Sequence, residues 1–177
     1  MAFQHPIEYD QASPVVRAVY DDIMATRKAD SVEETNTRVL RGYIDGCNSG
    51  DLDELLAVLD ADVVHYFLPS NLRPITGVQH LAKWFRKFKQ SLNPVWSIDR
   101  LVAQGDEVVI EWSCIWTPPS TELRLMQRGS EWYVLRDARI VEIRSYFIYD
   151  AESSTELPSF PYASRGYLQL PGRPSGA

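Results

Sequence analysis

With 177 residues and 45% apolar content, the chain is sized for one domain with a full hydrophobic core. A net charge of −6 and a pI near 5.1 argue against nucleic acid or an anionic membrane surface as main partner, because both reward clustered positive charge. No apolar run approaches the ~20 residues that span a bilayer, and Met1-Ala2-Phe3-Gln4-His5-Pro6 is not a basic stretch leading into an apolar one, so a cytoplasmic protein is expected.

Residues 1–12 read as irregular. Ser13 is an N-cap with Pro14 at the first helical position, and Val16, Val19, Tyr20 and Ile23 follow at helical spacing to about Lys28. A second helix is predicted from about Ser31 to Cys47, with Val32, Val39, Leu40, Tyr43, Ile44 and Cys47 on one stripe. After Asn48-Ser49-Gly50, Asp51 caps a third helix with Glu54 at capping-box spacing, and Leu52, Leu55, Leu56 and Leu59 form its buried face. Asp62–Leu68 reads as a strand with Val63, His65 and Phe67 on one side, stopped by Pro69. A fourth helix, Val78–Leu92, has Val78, Leu81, Phe85, Phe88 and Leu92 as its apolar stripe. Its other surface carries Lys83, Arg86, Lys87 and Lys89, the pattern of a solvated face, with phosphate or partner binding as the alternative.

A meander of long strands follows: Val95–Ala103, Glu107–Thr117, about Glu122 to Leu135, and one beginning at Ile140 beyond the Arg136–Arg139 turn. Pro118-Pro119 closes the second of these. Val108, Ile110, Trp112, Cys114 and Trp116 share a side, a face suited to a core or to a pocket for a flat ligand. Glu131 and Tyr133 lie on one side of the third strand. In the last, Val141, Ile143, Ser145, Phe147 and Tyr149 oppose Glu142, Arg144, Tyr146 and Ile148. From Ala151 to Ala177 Ser, Pro and Gly are frequent, with Phe160, Tyr162 and Tyr167 embedded: either a flexible end with anchoring rings or a lid over a cavity. Cys47 and Cys114 make no CxxC or metal spacing and are expected to be free buried thiols. His5, His65 and His80 form no HxH or HxxxH pair, so no metal is expected. Glycines form no phosphate loop, and no GxSxG is present.

Two resemblances enter at this point. Residues 7–28 resemble the opening segment of carboxymuconolactone decarboxylase-like proteins, without that family's cysteine chemistry. Over residues 31–150, the runs Gly42-Tyr43-Ile44-Asp45-Gly46-Cys47-Asn48-Ser49-Gly50-Asp51-Leu52, Asp60-Ala61-Asp62-Val63-Val64 and Gly129 through Phe147 resemble the nuclear transport factor 2-like superfamily. The branch is the polyketide-cyclase-like (SnoaL-like) group, similar to ketosteroid isomerases, limonene-epoxide hydrolases and scytalone dehydratases. The resemblance implies an α+β fold in which a cone-shaped, curved antiparallel sheet wraps around helices. An N-terminal extension (1–30) would precede it and a tail (151–177) would follow.

It also implies a cavity lined by His65, Phe67, Trp112, Cys114, Gln127, Gly129, Glu131, Ser145 and Phe147, with Tyr43 entering from a helix; Trp96 and Trp116 would add aromatic wall. At the positions of the epoxide hydrolases' arginine and two aspartates stand Trp112, Cys114 and Ser145. The isomerases' oxyanion pair matches Tyr43 and Glu131, while their aspartate base falls near Phe67, leaving His65 to serve. The expected protein is a cofactor-independent lyase, dehydratase or isomerase. Catalysis would rest on Tyr43, His65 and Glu131, and the substrate would be a hydrophobic, aromatic small molecule. A non-catalytic binding or dimerisation module of the same fold is the alternative. A strand histidine and a stripe tyrosine also suit an ordinary core, and with reversed strand faces Glu131 would pair with Arg128 or Arg144. Tyr146, Ile148 and Ile115 on the sheet's other face suggest a homodimer.

Overall fold

Asn36, Leu40, Tyr43, Ile44 and Cys47 recur at helical spacing, and they form the buried stripe of the first long helix, α1 (Val32–Ser49). Val32, expected on that stripe, is exposed because it begins the helix. The computed structural model describes residues 13–15, 17, 18, 21, 31–68, 73–119 and 123–171. The chain divides into two compact units, residues 1–31 and 32–177. In the first, Pro14, Val15, Arg17, Ala18 and Asp21 are helical, and Arg17 N–H donates to the Ser13 carbonyl at 2.9 Å. The rest of the 7–28 segment, with its expected end at Lys28, lies outside the described residues.

In the second unit a short helix, α2 (Leu52–Val58), follows α1, and Asp51 Oδ1 accepts from the backbone of Asp53 and Glu54. Only half of the expected capping box forms. Glu54 takes the Ser49 hydroxyl at 2.7 Å, and the Asp51 N–H donates to that same hydroxyl oxygen. Leu59, expected on this helix, instead opens strand β1 (Leu59–Leu68) and is buried there. The end of α2 is tied down from afar, since one guanidinium nitrogen of Arg139 donates to the carbonyls of Leu56 and Leu59, both at 3.1 Å. After β2 (Ile75–Thr76), helix α3 (Val78–Leu92) ends on Asn93, whose left-handed backbone and N–H to the Lys89 carbonyl, followed by Pro94, make a sharp stop.

Strands β3 (Val95–Gln104), β4 (Glu107–Trp116), β5 (Leu125–Arg136) and β6 (Arg139–Phe147) form the meander. The β5–β6 hairpin turns on Asp137 and Ala138, both at positive φ, the two-residue geometry that matches strand twist. Sheet order is β2-β1-β6-β5-β4-β3. The sheet is curved and mixed rather than purely antiparallel: three hairpins bring the chain back so that β6 runs parallel to β1, with His65 beside Ile143 and Phe67 beside Ser145. Between β5 and β6 the register slips, Val134 pairing with Glu142 and Leu135 with Ile140. Val141 is the extra residue, and this bulge turns Ile140 inward to full burial, where strict alternation places Val141.

The core lies between the sheet's concave face and helices α1 and α3. Asn48 pins α1 to β3 by exchanging two hydrogen bonds with the Trp96 backbone, at 2.7 and 2.9 Å. At the other end of α1, Asn36 and Glu33 hold both backbone groups of Gly105 in the β3–β4 turn. The described tail packs on the sheet's opposite face. Thr155 N–H donates to the Met126 carbonyl past the end of β6, and the chain then crosses over Asp99, Glu111, Ser113 and Arg128. Ile115, expected to be exposed there for a dimer contact, is buried. Tyr146 and Ile148 are exposed.

Candidate functional site

Alternation along β4 and β5 sends Trp112, Cys114 and Trp116 from one strand, and Gln127 and Glu131 from the next, to the concave side. There they enclose a cavity of about 400 Å³. His65 and Phe67 of β1, Ser145 and Phe147 of β6, Trp96 of β3 and Tyr43 of α1 complete the set, so eleven of the twelve residues expected to line the cavity border one space. Gly129, also expected in the lining, does not border this cavity. The Trp112 ring occupies the place of its missing side chain, and a Cβ there would come within 2.6 Å of that ring and 2.9 Å of Phe147 Cβ. Helix α3 adds Trp84, Phe85 and Phe88. Trp84 escaped the sequence reading because the stripe was complete without it, yet it sits four residues before Phe88 and stacks on it at 5.0 Å. No described residue beyond Tyr149 lines the cavity.

His65, Ser145 and Glu131 form one hydrogen-bonded chain in the lining. Ser145 Oγ donates to Glu131 Oε1 at 2.5 Å and stands 2.5 Å from His65 Nε2. His65 and Glu131 are themselves 3.9 Å apart, so the serine joins them. The hydroxyl of Tyr133 donates to the other carboxylate oxygen. Tyr133 was legible as Glu131's neighbour on the strand face; that its ring folds back to the carboxylate was not. His65 is held by aromatic stacking on Phe67, with ring centres 4.1 Å apart. Two polar atoms here, His65 Nδ1 and Trp112 Nε1, are buried with no hydrogen-bond partner, and Tyr43 Oη has only the Cys47 thiol beside it.

The arginine alternative for Glu131 does not hold. Arg128 faces the other side and binds Glu156 at 2.6 Å, and Arg144 binds Glu142 at 3.0 Å. Burial without a cation raises the Glu131 pKa, and the donors Ser145 and Tyr133 oppose that rise. Burial also lowers the His65 pKa to about 3, so its imidazole is neutral at physiological pH. Tyr43 and Tyr133 are pushed up, mainly by burial, and stay protonated donors. Cys47 and Cys114 are free and buried; burial raises the Cys47 thiol and pushes Cys114 up to about 12, which leaves both inert. Among the described residues no three of His, Cys, Asp or Glu gather as a metal site, and no helix is long and apolar enough to cross a membrane.

The signature of the SnoaL-like domain matches residues 40–143. The chain belongs to the SnoaL-like family. A search of curated proteins gave no match. Among known structures, this SnoaL-like chain is similar to a protein of unknown function with a cystatin-like fold from Methylobium petroleophilum PM1. The two are 29% identical over 82% of this chain and 99% of the other, with a TM-score of 0.60. It also resembles an epoxide hydrolase of the LEH-like type from M. tuberculosis, at 21% identity, 68% and 83% coverage and a TM-score of 0.60. A nuclear transport factor 2-like (NTF2-like) protein from Anabaena variabilis ATCC 29413 is similar at 18% identity, 72% and 99% coverage and a TM-score of 0.58. The fold is therefore the nuclear transport factor 2-like α+β fold.

Proposed function

We propose that the protein is a cofactor-independent acid–base enzyme, a lyase, dehydratase or isomerase, acting on an uncharged hydrophobic small molecule with an aromatic body. One observation carries the reading: a largely buried carboxyl group, held by two hydroxyl donors and facing no cation, in a cavity walled mostly by aromatic rings. An ordinary core does not retain such a group, because desolvating it costs several kcal/mol unless it is paired or neutralised. No Arg or Lys is among the described lining residues, so nothing in the cavity compensates an anionic ligand. Glu131 and His65 form the proton-transfer machinery. Tyr43, whose buried hydroxyl has only the Cys47 thiol beside it, stabilises oxyanion charge developing on the substrate.

Epoxide opening in the manner of the LEH-like relative fits poorly, since Trp112, Cys114 and Ser145 stand where that chemistry needs an arginine and two aspartates. The test begins with a thermal-shift and crystal-soak screen of uncharged aromatic ketones and alcohols, and any ligand found is then assayed for turnover. Glu131→Gln and His65→Ala are expected to lower kcat by about 10²–10⁴-fold. Full turnover in both variants would overturn the assignment.

A further inference from the structure

Resting on that reading, we propose that the substrate exchanges its proton with His65 Nδ1 rather than with the carboxylate, and that Ser145 relays this proton to Glu131. The geometry fixes the direction of every hydrogen bond. When Glu131 is ionised, Ser145 must point its proton at Oε1, so the Ser145 oxygen accepts from His65 Nε2–H, and Nδ1 carries a bare lone pair. That nitrogen is buried, belongs to a cavity-lining ring and has no protein partner. Each Glu131 oxygen already receives a hydroxyl, from Ser145 and from Tyr133.

The step balances without forming an imidazolium. A substrate proton bonds to Nδ1, the Nε2 proton passes to Ser145 Oγ, and the Ser145 proton passes to Glu131 Oε1. The carboxylate becomes a carboxylic acid and the imidazole changes from one neutral tautomer to the other. The reverse sequence returns a proton to the substrate from Nδ1–H. An imidazole too deeply buried to hold a charge can thus still act as a base, because the charge it neutralises lies one hydroxyl away. Ser145 is a relay, and Glu131 a proton reservoir.

Other titratable groups facing the carboxyl remain neutral throughout: Tyr43 and Cys47 from α1, Tyr133 beside it on β5 and Cys114 from β4. Helix α3 sets Phe85 beside His65, with ring centres 6.1 Å apart, and none of its described lining residues is titratable.

The relay itself is tested without substrate. Protein labelled with ¹⁵N-histidine is titrated between pH 4 and 10, and the His65 signals are assigned by their loss in His65→Gln. His65 is expected to remain neutral while its proton moves from Nε2 to Nδ1 as the pH falls. The switch should vanish in Ser145→Ala and in Glu131→Gln, and should persist in Ser145→Thr, which keeps the hydroxyl. One tautomer at every pH, an imidazolium, or a switch surviving in Ser145→Ala would overturn the relay. A switch in a protein that turns over no aromatic ligand would instead sink the enzyme reading and leave the relay standing. Turnover lost in Glu131→Gln with a single fixed tautomer would do the opposite.

Discussion

Strands β4 and β5 present two faces built from alternate residues, and the two faces treat buried charge in opposite ways. Outward, Arg128 is saturated. It makes two bonds to Glu156 at 2.6 and 2.9 Å, one to the Leu168 carbonyl at 3.0 Å and one to Ser113 at 2.5 Å, and it lies 3.8 Å from the Tyr162 ring centre. Ser113 in turn donates to Asp99, which accepts the Leu168 N–H, and Tyr167 donates to Glu111. Inward, three residues along the same strand, Glu131 has hydroxyl donors and no cation. The outward network spends its charges on fixing the tail. The inward carboxyl keeps its charge uncompensated and so remains able to change protonation state.

The largest effect on stability is expected where the paired face is broken. Arg128→Ala takes one guanidinium from Glu156 and removes four tail contacts at once, which should cost about 3 kcal/mol in urea unfolding. A loss below about 1 kcal/mol would mean the tail is held by its rings alone. Removing Glu131, by contrast, should cost far less stability and nearly all turnover.

Between these lies Gly129→Ala, on the seam of the two faces. The added methyl meets Trp112 and the base of the Phe147 side chain, neither of which can yield without moving a cavity wall. Overpacking of this kind costs about 1–3 kcal/mol. Ligand affinity should fall as Trp112 is pushed into the cavity, a shift that Trp fluorescence and a ligand-detected thermal shift would register together. Unchanged stability would show that the wall is soft.

Much of the inward face was legible because β4 and β5 alternate without interruption over the residues that matter, so parity alone brought Trp112, Cys114, Gln127 and Glu131 to one side. Parity failed at Ile140, where a bulge inserts one residue and no local sequence signal marks it. It could not reveal that β1 runs parallel to β6, since such pairing depends on partners eighty residues apart. The outward face was almost wholly illegible. Arg128 reads as one more strand cation, and nothing near it in sequence announces that Glu156 and Leu168 return to meet it. The same limit explains the serine: Ser145 was identifiable as a lining residue, but its place between His65 and Glu131 depends on three strands meeting.

The smallest expected effect sharpens the contrast most. Burial raises the folded-state pKa of Glu131, so the folded protein binds a proton there more tightly than the unfolded chain does. That contribution is fully present below the unfolded carboxylate pKa and is lost as pH rises through the folded value, where the site must bury a charge. Glu131→Gln is neutral at every pH and escapes this loss. The difference in Tm between variant and wild type should therefore move in the variant's favour as pH is raised from 5 to 9. His65 works at the other end of the scale: its folded pKa near 3 lies below the unfolded value, so its contribution weakens as pH falls from about 6.5 toward 3. Glu156→Gln, on the paired face, takes away the carboxylate that Arg128 holds at 2.6 Å and is expected to lower Tm outright. If Glu131→Gln gained nothing on wild type as the pH is raised, burial would not be opposing the inward charge, and that carboxyl would lose its claim to chemistry.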